Sequence, residues 1–358
     1  MRFCFLRADP VGYGRHVIPI RHFANARIVD PATGRDAPGD LFVRGETIVA
    51  RPSTMQAVQT TDASGLVLVP GLVDMHVHLR EPGRENAETI ASGARAAACG
   101  GFTTILAMPN TSPPIDTPDR VRHVLQKGVD AAAARVLTSA CITRGRDGTR
   151  KADLPALAAA GAAAFTDDGA TVPDEAILAE AMREAADLRI PVMDHALDAA
   201  EAGEGVMHDG PLARRMGLPG IPSHAESAMV ERDLRLAGET GCHMHIQHIS
   251  ARESVDLLRD AREQGRPVSA ELTPHHLALT DHDAWRLDAD FKMNPPLRSR
   301  TDRDALQEAL IDGTIEAFAT DHAPHPRNAK ALGFVRAPFG IVGLETAVGV
   351  TYTILVKE

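Results

Sequence analysis

Short apolar runs alternate with longer, alanine-rich stretches along most of the chain after Pro70. The short runs are typical of buried parallel strands, and the longer stretches repeat apolar residues at helical spacing and often end at glycine. The predicted strands cover residues 72–78, 103–107, 135–140, 163–166, 192–195, 243–248, 268–273 and 315–320. Helices are predicted in the gaps between them, for example over residues 87–99, 174–188 and 223–239.

Eight strands that are each followed by a helix favour the α/β class and, within it, a (β/α)8 TIM-like barrel. An open, doubly wound sheet is the alternative arrangement. The first predicted strand is not followed by the pattern G-x-G-x-x-G, and the sequence contains no phosphate-binding P-loop motif. The barrel is therefore the preferred prediction.

The chain before Pro70 has a different pattern, with short strands broken by turns between residues 27 and 69. We therefore predict two parts, an N-terminal extension with a small β segment over residues 1–69 and the barrel over residues 70–358. The first 20 or so residues show no clear period, and no structure is assigned to them.

The composition is that of an ordinary globular protein, with 358 residues, of which 44% are hydrophobic and 24% are charged. A net charge of −10 and scattered basic residues argue against nucleic acid or an anionic membrane as a partner. Polar residues interrupt the N-terminal apolar stretch, so it lacks a secretory signal, and no apolar run suits a membrane helix. We expect a cytoplasmic enzyme.

Histidine is unusually frequent, with 16 residues against 13 aromatic ones. The first barrel strand ends in His76 and His78, which are two positions apart and so point to the same face. Two imidazoles that converge in this way suit a transition-metal ion. The alternative is a pair of histidines on a solvated face, but the rest of the strand is apolar.

Four more polar residues stand at other predicted strand ends, namely Asp168, His195, His248 and Asp321. Each alone is a weak signal, because an aspartate there often caps a helix and a lone histidine often belongs to the core. Together with the first strand they place four histidines and two aspartates around one rim, which predicts a metal site.

Six such ligands exceed the need of one tetrahedral ion and fit two ions about 3.5–4 Å apart that share a carboxylate and a hydroxide. The first pair of histidines would hold one ion, and His195 with His248 would hold the other. A water shared by two cations becomes a nucleophile near neutral pH. Asp321 beside it could take its proton and deliver it to a leaving nitrogen.

The strand-end motifs resemble those of the amidohydrolase superfamily and, more closely, of class I bacterial dihydroorotases. The residues that carry this resemblance are DMHVHLREPG at 74–83, AMPNT at 107–111, AFTDDG at 164–169, TPHH at 273–276, KMNPPLR at 292–298, ATDHAPH at 319–325 and APFGIVG at 337–343. They stand in the family's order from about residue 24 onwards. Family members usually continue for several dozen residues beyond the equivalent of residue 358, so the C-terminal part of the family is expected to be missing.

The resemblance implies a zinc-dependent dihydroorotase that reversibly converts N-carbamoyl-L-aspartate to L-dihydroorotate in de novo pyrimidine biosynthesis. It implies zinc, expected as two ions per subunit, with Asp168 as the bridging ligand and Asp321 as both ligand and general base. The implied zinc ligands are His76, His78, Asp168, His195, His248 and Asp321. The implied contacts to the small-molecule substrate are His78, Arg80, Asn110, Asn294, His325, Phe339 and Gly340.

Some of these residues can also be judged by their own chemistry. Arg80 lies two residues past His78, so alternation places it on the same inward face. It can bind a carboxylate with two hydrogen bonds, although a surface salt bridge is the alternative. Asn110 and Asn294 can each donate and accept hydrogen bonds, but they could equally be turn formers beside proline. His243 and His245 lie at odd offsets from His248 and are expected to pack against helices.

Asp168 helps to distinguish between the possible families, because they differ in the residue at the bridging position. Hydantoinases, dihydropyrimidinases and allantoinases, like class II dihydroorotases, commonly carry a carboxylated lysine at the bridging position, and here Asp167 and Asp168 stand instead. Asp168 is preferred because the family motif has the ligand directly before glycine, and a helix-capping role is expected for Asp167. One of those other cyclic amidohydrolases is the alternative function. A non-catalytic scaffold of aspartate carbamoyltransferase is a further alternative, and a homo-oligomer that associates with this enzyme is a family expectation.

Overall fold

The computed structural model describes residues 19–55 and 58–357. Expectations for residues 1–18 lie outside this range. The chain separates into two compact units, which meet in sequence between Leu72 and Val73. The boundary predicted between residues 69 and 70 lies close to this division.

The first unit is a small β sheet. Its strands are β1 (Ile20–Asp30), β2 (Arg35–Arg44), β3 (Thr47–Val49), β4 (Val58–Asp62) and β5 (Val67–Leu68). The long strand β1 pairs antiparallel with β2 and parallel with β4 and β5. Ala26, Ile28 and Ala63 form its small buried core.

The second unit alternates strands and helices, as the sequence predicts. Its strands are β6 (Leu72–Val77), β7 (Phe102–Ala107), β8 (Arg135–Thr138), β9 (Val192–Asp194), β10 (Met207–His208), β11 (Gly220–Ile221), β12 (Met244–Ile246), β13 (Val268–Leu272) and β14 (Ala317–Phe318). Its α-helices are α1 (Ile90–Gly100), α2 (Pro118–Ala131), α3 (Leu154–Ala159), α4 (Glu175–Leu188), α5 (Ala199–Ala202), α6 (Pro211–Met216), α7 (His224–Thr240), α8 (Arg252–Glu263), α9 (Pro274–Ala278), α10 (Arg300–Ile311), α11 (Arg327–Lys330) and α12 (Ala347–Tyr352). Shorter helical turns cover Arg144–Arg146, Asp281–Arg286, Ala289–Phe291 and Thr353–Lys357.

The main strands of this unit form two sheets, with the orders β6-β7-β8 and β14-β13-β12-β9. Strands β7 and β8 are parallel, and so are the neighbours within the four-stranded sheet. Isolated parallel bridges join Ala140 to Phe165, Phe165 to Val192, and Val77 to His322. Strands β10 and β11 form a separate parallel pair.

Among the described residues, the segment 163–166 is the one predicted main strand that does not form a regular β-strand. Phe165 is the partner in isolated bridges on both sides. The amide of Ala163 donates to Thr138 and that of Thr166 to Ala140, so the segment still hydrogen-bonds along the β8 side. The other predicted strands appear with ends that differ by a few residues, because the chain turns away as soon as it reaches the polar strand ends.

Alternation along the strands separates two environments. Met244, Ile246 and Leu272 pack in the large apolar cluster that the helices share, together with Leu178 of α4 and Leu258 of α8. The intervening strand positions carry buried polar side chains and point away from that cluster. Among the described residues, no helix combines the length and apolar character needed to cross a bilayer.

Candidate active site

The predicted site residues come together because their strands end at the same edge. His78 directly follows β6, His195 directly follows β9, and His248 stands two positions after β12. Asp168 follows the bridged segment around Phe165. In a parallel sheet the carboxyl ends of all strands meet at one side, so side chains distant in sequence converge there.

Two groups of buried residues in the described chain have the geometry to hold a metal ion. One contains His76, His78 and Asp168, and the other contains Asp168, His195 and His248. Within each group the potential ligand atoms lie within 4.8 Å of one another. Asp168 belongs to both groups, and it is the residue for which the family resemblance implies a bridging ligand.

The carboxylate of Asp168 lies between the histidines. Its Oδ1 is 3.2 Å from Nε2 of His76 and 4.0 Å from Nδ1 of His195, and its Oδ2 is 3.5 Å from Nε2 of His78. Oδ1 is buried and accepts no hydrogen bond of suitable geometry from the described residues. A buried anionic oxygen without a hydrogen bond is costly unless a cation compensates it. The donor set therefore fits a divalent metal ion.

The protonation states also fit a metal site. Burial alone would raise the pKa of Asp168, but His76 and His78 outweigh it and hold this pKa well below its usual range. Burial lowers the pKa of His195, and burial with the neighbouring His195 lowers the pKa of His248 well below its usual value. An ionised carboxylate and neutral imidazoles are the forms that bind a metal.

His76 differs from the other histidines. Burial opposes its protonation, but the carboxylates of Glu271, Asp168 and Asp321 outweigh burial and raise the pKa of His76 well above its usual value. The surrounding carboxylates thus favour positive charge at this point of the site.

Asp321 lies beside the first group without belonging to either. Its Oδ1 is 3.0 Å from Nε2 of His78 and 3.5 Å from Nε2 of His76. Its backbone has φ 46°, in the left-handed region that residues other than glycine seldom adopt. Backbone strain of this kind is common at functional sites.

A cavity of about 180 Å³ opens in front of these residues. It is lined by His78, Arg80, Asn110, Asp168, Gly169, His195, His248, Asn294, Asp321, Ala323, Phe339 and Gly340. All predicted substrate contacts except His325 therefore line one cavity. His325 lines an adjoining cavity, which shares Arg80. Its Nε2 is 2.7 Å from the carbonyl oxygen of Phe339, so it contacts the wall of the first cavity from behind.

The two asparagines contact candidate ligands directly. Asn110 donates from Nδ2 to Asp168 Oδ2 at 3.1 Å, and its Oδ1 lies 2.9 Å from Nδ1 of His78. Nδ2 of Asn294 lies 3.3 Å from Nε2 of His195. Neither asparagine is simply a turn former.

Arg80 is buried, with 6% of its surface exposed. Its Nε donates to the carbonyl of Pro324 at 3.2 Å, and its Nη2 lies 3.4 Å from His325 Nε2. Because Arg80 is buried and its guanidinium contacts a carbonyl and an imidazole, it does not form the surface salt bridge considered from the sequence. Burial and the nearby Arg84 lower the pKa of Arg80 to about 10. The group remains cationic at neutral pH and can bind an anion in the cavity.

Two expectations for neighbouring residues are wrong. Asp167 does not cap a helix but accepts hydrogen bonds from the amides of Ile142 and Thr143 at 2.9 and 3.1 Å, which anchors the neighbouring loop. His243 and His245 do not pack against the helices, because His243 is exposed and contacts Ser269 of β13, as His245 does. His245 lies on the polar face of β12 and contacts Glu271, because the chain leaves strand geometry before His248 and the alternation counted from His248 fails.

Glu271 is the main residue that the sequence analysis missed. It is fully buried on β13, and its Oε1 lies 2.6 Å from Nδ1 of His76. Burial opposes its ionisation, but His76 and His245 lower the pKa of Glu271 to about 2. The sequence contained part of the signal, because a glutamate within a predicted buried strand needs a buried partner, but the pattern does not say which residue that partner is.

The chain is similar to known proteins over most of its length. The family model described as dihydro-orotase-like matches residues 65–254. The dihydroorotase of Geobacillus thermodenitrificans is 52% identical over 297 residues, which cover 83% of this chain and 69% of the relative. The dihydroorotase of Anoxybacillus flavithermus is 50% identical over 322 residues, which cover 89% of this chain and 75% of the relative.

Solved structures of similar fold are cyclic amidohydrolases. The L-hydantoinase (dihydropyrimidinase) from Arthrobacter aurescens superposes with a TM-score of 0.79 at 26% identity, over 94% of this chain and 77% of the other. The dihydropyrimidinase from Brevibacillus agri has a TM-score of 0.77 at 23% identity, over 93% of this chain and 76% of the other, and shares the fold. On the matched family model and these relatives, the chain belongs to the dihydroorotase-like family.

Proposed function

We propose that this chain is a dihydroorotase, which hydrolyses the ring amide of L-dihydroorotate to N-carbamoyl-L-aspartate and catalyses the reverse cyclisation in pyrimidine biosynthesis. The observation that carries the proposal is that Arg80 and Asp321 line the same cavity. The substrate ring bears a carboxylate, for which Arg80 is the matching cation, and Asp321 stands at the metal groups where the amide would react. Relatives named dihydroorotase at about half identity support this substrate.

The residues of the two groups would hold zinc, as two ions that share Asp168. His76 and His78 would bind one ion, and His195 and His248 the other, with Asp321 as a further ligand. The unpartnered Oδ1 of Asp168 and its membership of both groups support this arrangement. When bound, the ions would polarise the amide carbonyl and activate the attacking water.

The chain itself supplies the proton transfer. In the hydrolytic direction, the carboxylate of Asp321 accepts a proton from the attacking water and delivers it to the ring nitrogen as the carbon–nitrogen bond breaks. In the cyclisation direction the same carboxylate takes the proton from the carbamoyl nitrogen as the carbon–nitrogen bond forms and gives it to the departing hydroxyl, which leaves as water. The Oδ1 of Asp321 lies 3.0 Å from Nε2 of His78, which places this carboxylate beside the first group.

The cavity would position the substrate with its carboxylate toward Arg80. Asn110, Asn294 and the backbone at Phe339 and Gly340 would contact the ring and the carbamoyl group, and His325 would support this wall from the adjoining cavity. Gly340 has φ 131°, and a Cβ there would lie 2.5 Å from the carbonyl oxygen of Ala323. Only glycine lets the backbone approach the cavity in this way.

The strand arrangement supports a closed eight-stranded barrel. The isolated bridges at Phe165 would connect β8 to β9 through the segment at residues 163–166, and the bridge between Val77 and His322 would connect β14 to β6. The complete ring would then contain eight positions, with the cavity at its carboxyl end.

Activity toward rings without a carboxylate is the second candidate, because the chain superposes well on an L-hydantoinase. Asp168 stands where those enzymes commonly carry a modified lysine, which favours dihydroorotase. A non-catalytic scaffold is disfavoured because all six proposed ligands are buried together. Homo-oligomer formation, association with aspartate carbamoyltransferase and a cytoplasmic location stay predictions.

The test compares Arg80→Met with the unaltered chain on L-dihydroorotate and on dihydrouracil, which lacks the carboxylate. Loss of a charged hydrogen bond is expected to lower kcat/KM for dihydroorotate by about 10–100-fold and to leave hydrolysis of dihydrouracil unchanged. Arg80→Lys, which keeps the charge, should lose less. An equal loss on both rings would contradict the substrate assignment.

A further inference from the structure

A second buried carboxylate lies behind the proposed metal centre, on the side away from the cavity. Glu271 of β13 is fully buried. Its Oε1 lies 2.6 Å from Nδ1 of His76 and accepts a hydrogen bond from the backbone amide of His248 at 3.2 Å. Its Oε2 lies 3.2 Å from Nε2 of His245. One carboxylate therefore contacts a member of each metal group.

The contact with Glu271 decides which nitrogen of His76 carries the proton. A carboxylate can only accept, so Nδ1 of His76 is the protonated nitrogen and donates to it. Nε2, which lies 3.2 Å from Asp168, is then the nitrogen left to bind a metal ion, which would take the place of any proton there. A hydrogen bond to a carboxylate at the far nitrogen fixes both the tautomer and the ring orientation of a metal-binding histidine.

The contact with the backbone of His248 has a different effect. His248 has φ 31°, outside the strand geometry of β12. Without this turn, alternation along the strand would point its side chain to the opposite face from His245 and away from the cavity. The hydrogen bond from its amide to Glu271 holds the turned backbone, so Glu271 also positions a member of the second group.

Glu271 is also connected, through His245, to residues nearer the beginning of strands β12 and β13. Nδ1 of His245 lies 2.8 Å from Oγ of Ser269, and the same oxygen lies 2.7 Å from Nε2 of His243. With Nε2 of His245 donating to Glu271, its Nδ1 accepts from the hydroxyl of Ser269, whose oxygen accepts from His243. His243 is exposed. The chain of hydrogen bonds thus runs from the centre to the surface.

We propose that Glu271 is the positioning residue of the metal centre, acting through His76 and the backbone of His248, and that Ser269 and His245 hold Glu271 in place. This inference rests on the proposed metal centre. It adds a residue that would bind no ion and touch no substrate, yet would set how tightly the centre binds metal.

The experiment measures the affinity of the metal-free chain for Zn2+ by competition with a chromophoric chelator. Glu271→Gln keeps the size of the side chain but removes its charge and one acceptor. Losses of this kind typically cost about 10–100-fold in metal affinity, and that loss is expected here. Glu226→Gln is the matched control, because Glu226 is also a buried glutamate, bonded to the amides of Ser250 and Ala251. It should bind Zn2+ as the unaltered chain does.

Ser269→Ala is the second variant and covers the case that Glu271→Gln does not fold. Ser269 is only half-buried, so this change should leave the fold intact, and it should weaken Zn2+ binding less than Glu271→Gln but in the same direction. The NMR signals of the His76 Nδ1–H group in the zinc-loaded chain provide a readout that a merely structural role would not move. This group donates to a carboxylate in the unaltered chain and would face a neutral amide in Glu271→Gln, so its 1H and 15N signals should shift with the weaker hydrogen bond.

The outcomes separate this inference from the proposed function. Unchanged Zn2+ affinity in Glu271→Gln and Ser269→Ala, or an equal loss in Glu226→Gln, would overturn the role of Glu271 while the metal centre stands. Failure of the unaltered chain to bind Zn2+ would overturn the metal centre and this inference with it.

Discussion

Nδ1 of His195 lies 2.8 Å from Nε2 of His248, so two imidazole nitrogens face each other across the second metal group. Burial lowers the pKa of both rings, which leaves them neutral. The nearest carboxylate oxygen of that group, Oδ1 of Asp168, is 4.0 Å from Nδ1 of His195 and also faces His76. The two halves of the site are thus joined through Asp168.

Substituting a ligand of one group and substituting the ligand that both groups share should have different effects. His195→Ala should remove about half of the bound zinc, because it changes one group only, whereas Asp168→Asn should remove nearly all of it, because it changes both. Elemental analysis after dialysis measures this loss. Asp167→Asn is the matched control, since Asp167 is an adjacent buried aspartate in neither group. Equal zinc loss in the control would refute the special place of Asp168.

Asp321 is expected to contribute mainly to proton transfer and little to zinc binding. Asp321→Asn should retain zinc, because both groups are complete without Asp321. Its kcat should fall by about 10²–10⁴-fold, the usual contribution of a general acid or base. Steady-state hydrolysis of L-dihydroorotate, with zinc content measured on the same sample, checks this. Activity near that of the unaltered chain would remove Asp321 from the mechanism.

Lys330 is predicted to set substrate affinity by holding the cavity wall. Its Nζ donates to the carbonyls of Gly340 at 2.7 Å and of Pro338 and Lys292 at 3.3 Å. Lys330→Met leaves these carbonyls without their shared donor, so the wall should loosen. We expect KM for dihydroorotate to rise about 10-fold, with little change in kcat. Lys330→Arg should restore part of the loss, and a fall in kcat at constant KM would contradict this role.

His325 should stay neutral in mildly acidic solution. Burial and the adjacent Arg80 lower the pKa of His325 to about 4, against about 6.5 in an unfolded chain. Between these values the unfolded chain binds a proton that the folded chain does not, so this residue makes the free energy of unfolding fall as pH decreases through that window.

An NMR titration of the His325 ring checks this directly. The inflection is expected near pH 4, and Arg80→Met should move it upward because one neighbouring cation is removed. His325→Asn identifies the signal by its loss. An inflection at the ordinary histidine value in the unaltered chain would show that the ring is neither buried nor close to the guanidinium.

The sequence predicted which strand-end side chains come together, but it did not predict the buried residues that contact them. Motifs at strand ends predicted the convergence of His76, His78 and Asp168 because parallel strands all end at the same edge. His245 was misplaced because alternation holds only while the backbone stays extended, and His248 lies beyond β12 with φ 31°.

For Arg80 the predicted position is right, but the reason given for it is wrong. It reaches the cavity as expected, but its φ of 60° places it outside strand geometry, so the counting of alternate positions was not the physical reason. Glu271 could not be assigned from the sequence because its partner His76 is 195 positions away. Pairings at such separation depend on the folded arrangement and not on local pattern.

The most direct test of the account is a crystal structure of the zinc-loaded chain with anomalous diffraction data at the zinc edge. Two anomalous peaks are expected, one on either side of the Asp168 carboxylate, with the first next to His76 and His78 and the second next to His195 and His248. Peaks elsewhere, or none at these side chains in crystals whose protein retains zinc in solution, would contradict this arrangement.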